Sequence, residues 1–321
     1  MDRHATTLSL GSLSAEPGTR AFGMAPVDVG VTTVEVPIVL VNGASAGPRV
    51  GVTAGIHGAE YVSIAALRRV AMSVDPATMS GSLVASLISN PAAYAARTIY
   101  VDPLDGRNLN RTFPGDRAGG PTERLAAWLH DTVIAPSDRY IDCHCGDMNE
   151  ALVSFAGIEH TGEAAVDAVT EAMVAAYGLD SIVVGPLPGS TTTAAATLGI
   201  PAVLGEVGGQ GLWPETDVAL HEAGLRRALR AAGLIPDAPE APRCETRRLG
   251  TDVWLRAEAG GCWMPAVGVG ESVAAGQRLG EVQDPFGRTL QSVDAPISGI
   301  ILFIVSSLAM NDGDPLLAIA D

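Results

Sequence analysis

The chain has 321 residues, an apolar fraction of 47% and a formal net charge of -16, long enough to bury two hydrophobic cores and acidic enough to exclude nucleic acid and anionic membrane surfaces as general partners. All 20 basic residues are arginine, which excludes a Schiff-base lysine and a Walker phosphate loop. No apolar run reaches the roughly 18 residues that cross a bilayer, and the start Met1-Asp2-Arg3-His4 has no basic region followed by an apolar stretch, so a cytoplasmic protein is the expectation.

In chain order, hydrophobic period predicts a strand over Arg49 to Ile56 and a helix from Glu60 to about Val74, with Ile64, Leu67 and Val70 on one face. A strand over Leu83 to Ile88 follows, then a long loop to about Gly120. A helix begins at Pro121, with Thr122 and Glu123 suited to its first turn, and a strand covers Tyr140 to Cys145. Further on come a helix Ala164 to Leu179, a strand Ser181 to Val184, a short helix Thr191 to Leu198, a strand Ala202 to Val207 and a helix Glu215 to Leu234. Strands alternating with helices imply an α/β fold whose mixed sheet is flanked by helices on both faces, with its chemistry at the carboxyl ends of strands.

The stretch Ile235 to Arg248, with Pro236, Pro239 and Pro242, is expected to be a linker. From Leu249 to Asp321, short apolar runs between Gly, Pro and Asp turns predict a smaller all-β domain. Its pattern, Gly270-Glu271-Ser272-Val273 through Ala295-Pro296-Ile297-Ser298-Gly299-Ile300, resembles biotinyl and lipoyl carrier domains. With no lysine to carry such a cofactor, the module is read as a structural cap. The expected division is a catalytic domain over 1–240 and a β-rich capping domain over 241–321.

Four segments carry chemistry. In Ala54-Gly55-Ile56-His57-Gly58-Ala59-Glu60, His57 and Glu60 stand at a strand end and a helix start and can converge on one ion; taken alone, the pattern also suits a capping or surface histidine. In Tyr140-Ile141-Asp142-Cys143-His144-Cys145, the strand period of two puts Asp142 and His144 on one face, so that Asp142 can fix the imidazole tautomer. Cys143 and Cys145 then point away from that face. With Cys244 and Cys262 they form no CxxC pair, and all four are read as reduced thiols. In Leu204-Gly205-Glu206-Val207-Gly208-Gly209, a carboxylate closing an apolar strand suits a shielded base or a simple turn acid. The long loop holds Arg97 and Asn108-Leu109-Asn110-Arg111-Thr112-Phe113-Pro114-Gly115, where Asn110 and Arg111 suit the anchoring of an anionic substrate. Arg97 suits a scissile carbonyl or a second anionic group. The other histidines, His4, His130, His160 and His221, are read as surface or packing residues.

Together and in this order, HGAE, NLNRTFPG, DCH and GEVGG resemble the succinylglutamate desuccinylase and aspartoacylase family, a branch of the zinc-carboxypeptidase superfamily. The resemblance runs over nearly the whole chain, from Gly18-Thr19-Arg20 into the C-terminal β-domain. It implies one zinc ion per chain on His57, Glu60 and His144, a carboxylate clamp at Asn110 and Arg111, Glu206 as general base and acid, and Arg97 as a carbonyl-polarising group. The segment from Arg97 to Asn110 is longer than in aspartoacylases proper. A tyrosine that closes over substrate in relatives has no assigned counterpart among Tyr61, Tyr94, Tyr100, Tyr140 and Tyr177. Three protein ligands are the number that a catalytic zinc keeps, with a further position open to water.

The expected activity is hydrolysis of an amide in a small, carboxylate-bearing N-acyl amino acid. The alternatives are a zinc carboxypeptidase, disfavoured by a cap that narrows access, and a catalytically inactive small-molecule-binding protein on the same scaffold. A non-heme iron oxygenase shares the two-histidine, one-carboxylate set, but the placement of Glu206 and the clamp favour hydrolysis. Assembly into a homo-oligomer is compatible with the sequence.

Overall fold

The computed structural model describes residues 6–240, 246–250 and 252–321; His4 and Cys244 lie outside them. In chain order the elements are β1 (Leu8–Leu10), β2 (Leu13–Ala15), β3 (Thr19–Asp28), β4 (Thr33–Asn42), β5 (Ser45–Ala54), α1 (Tyr61–Ser73), β6 (Ser80–Ser86), α2 (Pro91–Ala96), α3 (Pro121–Leu129), β7 (Arg139–His144), β8 (Glu150–Leu152) and β9 (Phe155–Ile158). They continue with α4 (Ala164–Tyr177), β10 (Ser181–Val184), α5 (Thr191–Thr197), β11 (Ala202–Glu206), α6 (Glu215–Ala231), β12 (Arg247–Leu249), β13 (Asp252–Arg256), β14 (Gly261–Pro265), β15 (Ser272–Val273), β16 (Arg278–Gln283), β17 (Thr289–Asp294), β18 (Gly299–Val305), β19 (Ala309–Met310) and β20 (Pro315–Ala320).

Nine strands form one mixed sheet in the order β12-β10-β9-β11-β7-β5-β6-β4-β3. At its centre β11, β7, β5 and β6 run parallel. The chain goes from β5 to β6 on one side and later places β7 on the other, and such a reversal opens a crevice at the carboxyl ends of the strands. Both faces are covered. One core joins the sheet to α1, α4 and α6 through Leu67, Val70, Met173, Val174, Leu225 and Leu229. The opposite core packs α3 and α5 with β1 and β2 against Val36, Ile38 and Leu40. The second half of β5 and nearly all of β7 are buried at successive residues, without the alternation of a strand that has one face in water.

Local sequence sets the helix ends. Asn90 accepts the Ala93 amide at 3.1 Å and Pro91 takes the first turn of α2. Pro121 opens α3, whose Glu123 reaches back to the Gly120 amide at 2.9 Å. Gly178, at φ 74°, ends α4 in the left-handed conformation.

The C-terminal residues build two small antiparallel sheets, β17-β16-β14-β19 and β13-β20-β18-β15, around Trp263, Leu279, Ile301, Leu316 and Ile319. This module and the larger sheet exchange strands. β8 pairs with β18 in the C-terminal sheet, while β12 adds itself to the edge of the nine-stranded sheet through β10. Arg247 and Arg248, expected in a linker, are therefore strand residues; residues 241–245 of that stretch lie outside the described ones.

Candidate active site

The chain leaves β5 at Ala54 and turns through His57 into α1. Gly58 is required there, because a Cβ would sit 2.1 Å from the Tyr94 nitrogen and 2.2 Å from the Ala93 carbonyl carbon; α2 thus presses the turn into place. His144 closes β7, whose Cys143 is the register partner of Ala54 on β5. The Glu60 carboxylate lies between the two imidazoles, with Oε1 2.6 Å from His57 Nδ1 and Oε2 2.9 Å from His144 Nδ1. Oε2 also accepts the Cys145 amide at 3.2 Å. One ligand atom from each of His57, Glu60 and His144 lies within 4.8 Å of the others.

The far ring nitrogens decide what these near atoms can bind. His57 Nε2 is 3.1 Å from Asn108 Oδ1, an oxygen that also takes the Asn110 amide, and His144 Nε2 is 2.8 Å from Asp142 Oδ2. Both partners are acceptors, so each Nε2 carries the hydrogen and each Nδ1 directs a lone pair at the Glu60 anion. That arrangement repels itself unless a cation lies between. Burial alone would push both imidazoles down, but the Glu60 charge raises His57, and the Asp142 and Glu60 charges raise His144 well above its usual range. In return the two rings hold Glu60 at about 2 against the effect of its burial. A divalent ion answers the same demand as these protons, and two imidazole nitrogens with one carboxylate oxygen suit a zinc-like metal.

Asp142 is fully buried and fully used. Thr53 donates to Oδ1 at 2.6 Å, and Thr191 and His144 both donate to Oδ2. Glu206 ends β11 as the register partner of His144 on β7. Its Oε2 is buried without a hydrogen-bond partner, and burial, then the nearby Glu60 charge, drives its carboxyl far above the ordinary range. Gly205 allows this packing, since a Cβ there would stand 2.3 Å from the Tyr177 hydroxyl.

These groups open onto a cavity of about 450 Å³ between the large sheet and the C-terminal module. His57, Glu60, His144, Glu206, Asn110 and Arg111 all line it, and Leu152, Phe155, Ile158, Leu204, Trp254 and Phe303 supply much of its apolar wall. Asn110 Oδ1 is spent on the Thr191 amide at 3.1 Å, which leaves the side-chain NH2 for a ligand. Arg97 is not brought to the wall. It is an exposed residue at the end of α2, at φ 55°, close enough to Tyr61 for its charge to favour the phenolate there, although burial raises that phenol overall.

Several participants escape sequence reasoning. Asn108, inside the NLNR run, orients His57 rather than a substrate. His221 is not a mere packing residue: it is buried on the inward stripe of α6 with Val218 and Leu225, takes the Tyr177 hydroxyl at Nδ1 (2.8 Å) and donates from Nε2 to the His144 carbonyl (3.0 Å). Tyr100 is the tyrosine among the five candidates that lines the cavity, with its hydroxyl 2.8 Å from Glu150 Oε1. Cys143 and Cys145 are buried and take no part in the His-Glu-His cluster, and burial raises both thiols out of reach of neutral pH. His160 pairs with Glu171 at 2.8 Å, away from the cavity.

The sequence model of the succinylglutamate desuccinylase/aspartoacylase catalytic domain matches residues 46–232. The N-alpha-acetyl-L-2,4-diaminobutyric acid deacetylase of Halomonas elongata is 27% identical over 297 residues, spanning 90% of this chain and 86% of that protein. Among solved structures, the product-bound ectoine utilization protein EutE (DoeB) of Ruegeria pomeroyi superposes with a TM-score of 0.83 at 25% identity, over 94% of both chains. A succinylglutamate desuccinylase/aspartoacylase from Rhodobacter sphaeroides superposes with a TM-score of 0.82 at 25% identity, over 94% of this chain and 95% of that one. With more than half of its length matched by the catalytic-domain model, the chain belongs to the succinylglutamate desuccinylase/aspartoacylase family.

Proposed function

We propose that this protein is a zinc-dependent deacylase of the cytoplasm that hydrolyses the amide of a small N-acyl amino acid bearing a carboxylate. The observation that carries this reading is Glu206. A buried carboxyl with one unpartnered oxygen stands in register with His144, beside a three-ligand cluster and on the wall of a cavity sized for a small molecule. The family supports acyl-amide hydrolysis, and the Halomonas relative, a deacetylase by name, supports an acyl group on an amino acid nitrogen.

In this reading His57, Glu60 and His144 hold one zinc ion, which when bound supplies a Lewis acid and brings a water toward a pKa of about 7. Glu206 accepts a proton from the attacking water and returns it to the leaving nitrogen. Asp142 and Asn108 keep the two imidazoles in the tautomer that offers Nδ1. Asn110 and Arg111 anchor the substrate carboxylate, and this fixes the amide over Glu206. Arg97 polarises the carbonyl if the loop after α2 carries its side chain inward. The apolar wall from the C-terminal module excludes water and bounds the size of the substrate, which favours a small amide over a peptide.

The test is hydrolysis of a panel of N-acetyl and N-succinyl amino acids, with and without chelator, by protein of measured metal content. Chelator-sensitive release of free acyl acid is the expected result. Release of C-terminal amino acids from peptides, with no action on the panel, would replace this reading by a carboxypeptidase.

A further inference from the structure

The cavity holds two arginines, and they come from different parts of the chain. Arg111 belongs to the NLNR loop and Arg256 is the last residue of β13, in the C-terminal module. Arg111 Nη1 donates to the Asn110 carbonyl at 2.8 Å, and Arg256 Nη1 donates to the Gly313 carbonyl at 2.9 Å. Neither guanidinium has a carboxylate partner within salt-bridge distance among the described residues. Outside the cavity, Arg69, Arg226, Arg248, Arg278 and Arg288 each pair with an acid, whereas Arg124 and Arg139 bond to backbone carbonyls. In a chain with 36 acidic residues, two arginines without an acidic partner line the same cavity. Arg256 is near enough that its charge, after burial, disfavours the charged form of Arg111.

The carboxylate that Arg111 does feel is Glu150, and it is a poor counter-ion. Its oxygens are committed to the Tyr100 hydroxyl at 2.8 Å and the Asp147 amide at 2.9 Å, and burial pushes it up to about 7. Two like charges facing one cavity repel, and a ligand anion placed between them removes that cost while it takes up the remaining N–H donors. The Gly313 bond steadies Arg256 from behind, so its other nitrogens are free for a ligand.

We propose that Arg256 is the second arm of the carboxylate clamp, so that the substrate carboxylate is gripped between Arg111 of the large sheet's loop and Arg256 of the C-terminal module. The inference rests on the deacylase reading above and adds a residue to it. It makes the C-terminal module a working wall of the substrate site rather than a cover, and the strand exchange through β8 and β12 becomes the device that fixes the distance between the two arms.

The experiment compares wild type with Arg256→Gln and Arg256→Lys on an N-acetyl amino acid, and uses the matching carboxamide as a competitive inhibitor. KM and kcat are measured, and in a Glu206→Gln background the Kd of the intact N-acetyl amino acid is measured by calorimetry. Arg256→Gln should raise KM and Kd for the acid by about tenfold to a hundredfold, the worth of a hydrogen bond to a charged group. It should act on KM far more than on kcat and leave the carboxamide inhibition constant almost unchanged, with partial recovery in Arg256→Lys. An unaltered KM and Kd for the acid in Arg256→Gln, beside a wild type that hydrolyses it, would overturn the inference and leave the deacylase reading standing. Equal losses for acid and carboxamide would likewise reduce Arg256 to a packing residue. A wild type that neither hydrolyses nor binds any N-acyl amino acid removes both.

Discussion

Glu206 and His144 are register partners on adjacent parallel strands, and each is the last residue of its strand. Their spacing is therefore set by the backbone ladder, the stiffest device in the fold, and not by a loop. In the proposed reading, a proton-transfer group and a metal ligand held this way would keep their relative position when substrate enters, which is what preorganised catalysis requires.

Because Glu206 Oε2 has no hydrogen-bond partner, the isosteric change to glutamine can remove proton transfer without breaking a bond that holds the fold. Glu206→Gln is expected to lower kcat by about 10²- to 10⁴-fold, the usual worth of a positioned acid-base group, while metal content and thermal stability stay at wild-type values. A variant that keeps a tenth or more of wild-type turnover would take Glu206 out of the chemistry.

In the proposed reading Asp142 would act on a metal through His144, to which it is hydrogen-bonded. Its replacement by asparagine sets an amide against the imidazole Nε2–H and loosens the tautomer that offers Nδ1. Zinc affinity, read by competition with a chromogenic chelator, should fall by about tenfold to a hundredfold. Removal of Thr191, which shares Oδ2 with His144, should give a smaller change in the same direction. Undiminished affinity in Asp142→Asn would mean that His144 is oriented by its strand alone.

The grouping of His57, Glu60 and His144 with Glu206 is legible in the sequence because each sits at a strand end or at the helix start that follows one, at a junction marked by glycine or by a change of hydrophobic period. What the sequence hides is non-local. β8 has three half-buried residues and exists because it pairs with β18, far along the chain. The edge strand β3 carries Pro26 and turns Phe22 and Met24 outward, so it lacks the alternation that would announce a strand; edge position explains this, since an edge tolerates both proline and exposed apolar groups. Arg256 reads as a surface arginine of a β-module, and only the fold shows that it also lines the cavity. His221 did leave a signal, since it falls at the core-facing spacing between Val218 and Leu225.

Arg97 separates what the family resemblance implies from what the static geometry displays. The residue is exposed, with a left-handed backbone that few arginines adopt. Tyr100, a short way along the same loop, also has positive φ, and backbone strain gathered in one loop is a mark of functional positioning. If Arg97 folds inward to polarise the carbonyl, Arg97→Ala should cut turnover at least about a hundredfold, as the loss of an oxyanion donor does, with little change in metal binding. Near-normal turnover would leave polarisation to groups already on the cavity wall.

The same loop is tied down at its other end by Asp105, and this tie should be visible in acid. Asp105 accepts the Thr122 amide at 3.0 Å and its hydroxyl at 2.5 Å, so it caps α3 from a distance and pins the loop that carries Asn108, Asn110 and Arg111. Burial would raise its carboxyl, but the Thr122 bonds prevail and hold it below the usual carboxylate range. A folded-state value below the unfolded one contributes stability that is present above the unfolded pKa and lost as pH falls through the folded value. Asp105→Ala should therefore cost about 1 kcal/mol at neutral pH, the scale of a lost helix cap, and the gap between variant and wild type should close below the ordinary carboxylate range. Denaturant titrations at neutral pH and at acid pH measure both terms. A gap that persists unchanged in acid would show that Asp105 works through shape and not through its charge.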